Sequence, residues 1–138
     1  MIDEDLSRRI LATAAIAGAS GVLLGAYAAH GLSDLLADRG FDSELVAKRV
    51  GQFDVGVRYQ LIHAVALLGL SAVTLGTAKL RRRIAWLLLA GMVLFSGSLY
   101  LLVLTNVPKL GAITPFGGLA WIAGWVCLLL IAKKPSKE

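Results

Sequence analysis

The six residues Arg58-Tyr59-Gln60-Leu61-Ile62-His63 put a cation, a phenol, an amide and an imidazole into one and a half helical turns, at the head of a long apolar stretch. Groups of this kind at membrane depth are costly unless paired or hydrated, so they mark a functional site by default. On a helix Tyr59 and His63 share a face, four residues apart, and Asp54 lies one turn before Arg58, its nearest partner. His30, Ser96, Ser98, Tyr100 and Thr114 add polar groups near the ends or in the outer halves of other apolar stretches. The candidate ligand-binding set is therefore His30, Arg58, Tyr59, His63, Ser96, Ser98, Tyr100 and Thr114, expected to meet at one level in the outer leaflet. The blander reading of the same residues is a set of separate caps and interfacial anchors.

Three chemistries could use this set. His30 and His63 on neighbouring helices are the residue type for axial haem ligation, but no further motif supports it. Metal-assisted hydrolysis lacks an Asp or Glu inside any apolar stretch. Ser96 or Ser98 with His63 is a nucleophile–base pairing without a nucleophile elbow, and only Asp54 is near enough to orient the base. Each serine has a duller use, bonding back to its own helix. No catalytic residue, cofactor or metal is assigned.

The elements that must position these groups are membrane spans. The chain has 138 residues, 57% hydrophobic and 17% charged, with mean hydropathy +0.75. Its apolar residues gather into four blocks without formal charge, 10–29, 59–78, 84–104 and 113–132. Each is close to the ~20 residues that a spanning helix needs. The expected fold is all-α, one domain forming a four-helix transmembrane bundle. Between the first two spans, 32–50 carries apolar residues at helical spacing and reads as two short amphipathic interfacial helices. Ser33 and Asp42 or Ser43 are candidate N-caps, and Gly31, Gly40 and Gly51 stand where helices should end. Asp34, Asp38, Arg39, Asp42, Glu44, Lys48 and Arg49 are expected to face water.

Ala17, Gly21, Gly25 and Ala29 form a small-residue stripe on the first span, and Gly117, Gly118, Ala120 and Gly124 another on the fourth. In lipid such faces let backbones approach closely, within the chain or towards a partner. Thr114-Pro115 should open the fourth span as N-cap and first helical residue. Trp86 suits the membrane interface, Lys133 and Lys134 should snorkel to headgroups, and Pro135 should end the last helix. Cys127, the one cysteine, reads as a small core residue.

The net charge of +5 does not indicate nucleic acid, because the basic residues flank the apolar blocks instead of forming a stripe interleaved with aromatics. They are topology signals and headgroup contacts. Arg8, Arg9, Lys79, Arg81, Arg82, Arg83, Lys133, Lys134 and Lys137 fall on one side, against Arg39, Lys48, Arg49, Arg58 and Lys109 on the other. Both termini should therefore be cytoplasmic, with a basic hairpin at 79–83. The opening Ser7-Arg8-Arg9 and later Ala26-Tyr27-Ala28 have features of a signal peptide, but the apolar run is long enough to span and stay.

Several blocks in order carry a resemblance: Gly25-Ala26-Tyr27-Ala28-Ala29-His30-Gly31-Leu32, Arg58-Tyr59-Gln60-Leu61-Ile62-His63-Ala64, Gly91 to Tyr100, and Gly111-Ala112-Ile113-Thr114-Pro115-Phe116-Gly117-Gly118 with Gly124-Trp125. Together they resemble the YgdD-like family of small integral membrane proteins, a domain-of-unknown-function family. The resemblance implies a four-span protein of the bacterial cytoplasmic membrane and supplies no activity. The functional expectation is a non-enzymatic accessory or assembly component, or a lipid binder. Membrane lipids are the expected partners, with a homo-oligomer or a larger membrane complex. The alternatives are a small homo-oligomeric transporter or channel, and an enzyme acting on a lipid or quinone. Transport fits poorly, because titratable groups are missing from the inner halves of all four spans.

Overall fold

The computed structural model describes residues 4–132; Lys133, Lys134, Pro135 and Lys137, assigned above to the last span and its flank, lie outside them. The helices are α1 (Glu4–His30), α2 (Leu32–Asp38), α3 (Ser43–Ala72), α4 (Ala78–Gly91), α5 (Ser98–Thr105) and α6 (Thr114–Ala132). A π-helical segment, Met92–Gly97, joins α4 to α5 in one rod, and a 3-10 segment, Pro108–Ala112, precedes α6. Among the described residues, four helices are long and apolar enough to cross a membrane: Glu4–His30, Ser43–Ala72, Ala78–Thr105 and Pro108–Ala132. The all-α four-span bundle is the fold that hydropathy indicated.

Its boundaries differ from the hydropathy blocks in an instructive way. The block 59–78 is not the second span: α3 begins sixteen residues earlier, at Ser43, and ends at Ala72. Residues 73–77 form the turn, and Thr77 accepts a bond from Leu80 N (3.2 Å), which starts α4 at Ala78. The basic run 79–83 is thus the opening of a helix and not a hairpin. Upstream, Asp42 accepts from Leu45 N (2.8 Å), and the helix it caps runs through Gly51 without a break. A glycine ends a helix when it turns left-handed. Gly40 does so at φ +83°, with Gly40 N bonded to Ala37 O and Phe41 N to Leu36 O, whereas Gly51 stays helical. Among the described residues one separate short helix results between the first two spans, α2, and it starts at Leu32 behind Gly31, so Ser33 is not its cap.

Two apolar cores stack along the bundle. At the end where α1 and α4 begin, Leu6, Ile10, Leu67, Leu70, Ile84, Leu88, Trp121 and Ile131 pack together. At the other end α2 covers Phe53, Val57, Leu102 and Val103 with Leu32 and Leu36. Buried polar residues Gln60, His63, Ser96 and Ser98 lie between the two along α3 and the α4–α5 rod. The α1 stripe closes on α3, with Gly21 against Leu61 and Gly25 against Val57. Gly117 and Gly124 close on the α4 rod in the same way. Outside, α6 presents Phe116, Leu119, Ile122, Val126 and Leu129, a surface matched to acyl chains.

Candidate functional site

Because α3 ends at Ala72, Gln60 and His63 sit nine to twelve residues before its end. That is roughly 14–18 Å along the axis at ~1.5 Å per residue, about half the thickness of a ~30 Å hydrocarbon layer. The hexapeptide is therefore not the head of a helix but part of the central section of α3. A polar side chain there needs every bond made inside the protein.

Gln60 meets that demand in full. Its Nε2 donates to Ala17 O (2.9 Å) and to Ser20 Oγ (2.9 Å) on α1, and its Oε1 accepts from Tyr100 Oη (2.8 Å) on α5. One amide so ties three spans together. The Tyr100 ring reaches it by lying on Gly56, where a Cβ would come within 2.8 Å of the ring, and against Phe53 with centroids 4.7 Å apart. Ser96, 1% exposed, donates to Gly56 O (2.7 Å). Ser98 donates to Phe95 O (2.9 Å), which leaves Thr114 as the donor in the 2.8 Å Ser98–Thr114 contact. Thr114 thus joins α6 to α5 through its side chain.

His63, 3% exposed, belongs to an aromatic stack on the α6 side. Its ring lies flat on Trp121, centroids 3.8 Å apart at 2°, and Tyr59 and Phe95 pack against the same indole at 5.7 and 4.7 Å. Trp125 Nε1 is 3.1 Å from His63 Nε2, and Nδ1 is 2.7 Å from Tyr59 O. An indole N–H only donates, so Nε2 must accept and Nδ1 carries the hydrogen. Both ring nitrogens are in use, which removes His63 as a haem ligand or a general base in this conformation. Trp121 in turn donates to Leu88 O (3.0 Å) and occupies the space where a Gly91 side chain would stand.

Two members of the candidate set stand apart. The register set by Ala17–Gln60 and Gly25–Val57 puts His30 ten or more residues beyond the level of Gln60, exposed at the end of α1. Arg58 is exposed and pairs with Asp54 (2.6 Å), the partner its spacing indicated. The rest form two linked groups, Gln60–Tyr100 with Ser96 and Tyr59–His63 with the tryptophans, while Ser98–Thr114 bridges the rods.

Residues outside the set matter as much. Gln60, Phe95, Trp121 and Trp125 complete the two groups. Arg49, expected in water, is buried, donating to Asn106 Oδ1 (2.6 and 3.0 Å) and Gln52 Oε1 (2.8 Å), while Arg39 donates to Leu104 O (2.6 Å). Two cations from the α2–α3 region so hold the C-terminal end of α5, where the helix dipole is negative. Arg81, a topology cation by its place in the sequence, is 2% exposed. It donates to Ser7 Oγ (2.8 Å) and to the last carbonyls of α3, Leu70 O and Ser71 O. The signal for these was periodicity: Gln60, His63, Leu67 and Leu70, and likewise Arg81, Ile84, Leu88 and Gly91, follow one helix face each.

The model of a family described as "Protein of unknown function (DUF423)" matches residues 24–118. The chain is similar to the UPF0382 membrane protein of Staphylococcus haemolyticus, 42% identical over 107 residues that cover 77% of this chain and 80% of that one. It is 40% identical to UPF0382 membrane protein YwdK of Bacillus subtilis, over 80% of this chain and 85% of the other. UPF0382 inner membrane protein YgdD of Escherichia coli is 37% identical over 138 residues, 96% of this chain and 95% of its own length. No solved structure matches.

Proposed function

The chain belongs to DUF423, a family of membrane proteins of unknown function, and on that footing we propose that it is a non-enzymatic accessory or assembly component of the bacterial cytoplasmic membrane. One observation carries the reading. The polar side chains that a catalyst or carrier would need free at membrane depth are matched to one another: Gln60 has three partners, and both nitrogens of His63 are engaged. Their work is to join spans. Such bonds are worth more as glue than as chemistry when no water competes for them. Both termini face the cytoplasm in this proposal, supported by Arg8, Arg9 and Arg81–Arg83 gathering at the end where α1 and α4 begin.

The test is reconstitution of the full chain in liposomes. We expect ion and solute flux at the level of protein-free vesicles, and no new mass in an extract of bacterial lipids and quinones incubated with the protein. Flux or product formation that His63→Ala abolishes would assign a transporter or an enzyme instead.

A further inference from the structure

A cleft of about 410 Å³ opens between α1, α3 and α4 at the basic end of the bundle. Its deep wall is apolar and buried, formed by Leu6, Ile10 and Leu67, with Leu89 continuing it towards the membrane centre. Its rim is exposed and carries two guanidinium groups from different helices, Arg9 on α1 and Arg82 on α4. One turn further into the membrane from Arg82 stands Trp86, 64% exposed.

We infer that this cleft is a binding site for an anionic phospholipid of the leaflet at that end, with the phosphate held between Arg9 and Arg82 and an acyl chain laid over Ile10, Leu67 and Leu89. Charge and depth point to the same occupant. The cations lie within the first two turns of α1 and α4, and the apolar wall runs inward from them, which is the polarity of a lipid entering headgroup-outward. An indole at that height suits the carbonyl zone just below the headgroups. A soluble anion would use the rim and leave the wall wet. A bare hydrocarbon would use the wall and leave the cations without purpose. Asp5, also on the rim, sits 3.5 Å from Arg9, but both side chains are about four-fifths exposed, and a pair in that setting is weak. The rim keeps one net positive charge, and Arg9 has a second donor face for a phosphate. This inference goes beyond the proposed role and stands independently of it, since a transporter or an enzyme could hold the same lipid.

The experiment is native mass spectrometry on the full chain in mild detergent, titrated with phosphatidylglycerol or phosphatidylcholine of identical acyl chains. We expect a one-lipid adduct favoured for phosphatidylglycerol. In Arg9→Gln/Arg82→Gln its affinity should fall roughly ten- to thirtyfold, the effect of removing two basic groups from an anionic headgroup. The control pair Arg8→Gln/Arg83→Gln removes the same charge from neighbouring positions and should change affinity less than about threefold. Ala85→Phe puts a ring into the cleft while keeping both cations, and should abolish the adduct. Equal losses in the two charge pairs, equal binding of the two lipids, or an adduct that survives Ala85→Phe would each overturn the site. Helix content by circular dichroism is matched across variants, and liposome flux remains the separate readout for the proposed role.

Discussion

Replacing Gln60 with leucine removes one amide and breaks three bonds at once, to Ala17 O, Ser20 Oγ and Tyr100 Oη. Side-chain bonds between membrane helices average about 0.6 kcal/mol each and reach about 1.7, so the three together are worth roughly 2 kcal/mol. The partners fare differently afterwards. Ser20 keeps its own bond to Ala17 O (3.2 Å), whereas the Tyr100 hydroxyl loses the Gln60 oxygen it donates to. A donor left without its acceptor costs about 1–3 kcal/mol more, so Gln60→Leu should destabilise the fold by about 3–5 kcal/mol. Tyr100→Phe alone strands the buried Gln60 oxygen and should cost about 1–3 kcal/mol. The double variant should recover about 1–2 kcal/mol relative to the sum of the singles, because it no longer strands the phenol. The assay is reversible unfolding of the purified protein in mixed micelles by denaturing detergent, followed by tryptophan fluorescence. A Gln60→Leu cost below about 0.5 kcal/mol, or singles that simply add, would refute the argument that this amide ties the spans together.

Gly91→Ala should destabilise by about 3 kcal/mol or more through collision with the Trp121 indole, while Gly51→Ala, with nothing near its Cβ, should be neutral or stabilise by up to ~1 kcal/mol; thermal unfolding in detergent reads both. An arginine-specific dicarbonyl reagent should modify Arg82 and Arg83 readily and leave Arg81 and Arg49 protected until the protein unfolds, as peptide mass mapping would record. In a Cys127→Ala background, Lys109→Cys should react with an impermeant maleimide from outside intact cells and Lys79→Cys should not; the reverse pattern would invert the proposed orientation.

Much of this fold is legible in the order of residues, for a simple reason. In a bilayer, length and hydropathy alone select spanning helices, and Gly40 and Asp42 announce local stops and starts that the backbone obeys. The Asp54–Arg58 pair was legible too, because both partners lie on one helix. Hydropathy does not mark the helix boundaries. α3 extends sixteen residues ahead of its apolar block because Asp42 caps it, and it ends six residues early because Thr77 starts the next helix. That shift alone moved Tyr59, Gln60 and His63 from the interface to the middle of the molecule.

The composition and spacing of this chain determined four helices, their order, the basic end, and a handful of polar groups that had to be satisfied in a dry medium. They did not determine the partners. Gln60 bonds Ala17 forty-three residues away and Tyr100 forty residues away, and Trp125 finds His63 across sixty-two. Which face of each rod turns inward was decided by close approach at Gly91 and Gly117 and by the π-helical winding of Met92–Gly97. Helix formation is local, because each backbone bond closes within a few residues. Side-chain pairing between rods depends on their mutual rotation and height, and only the packed bundle sets those.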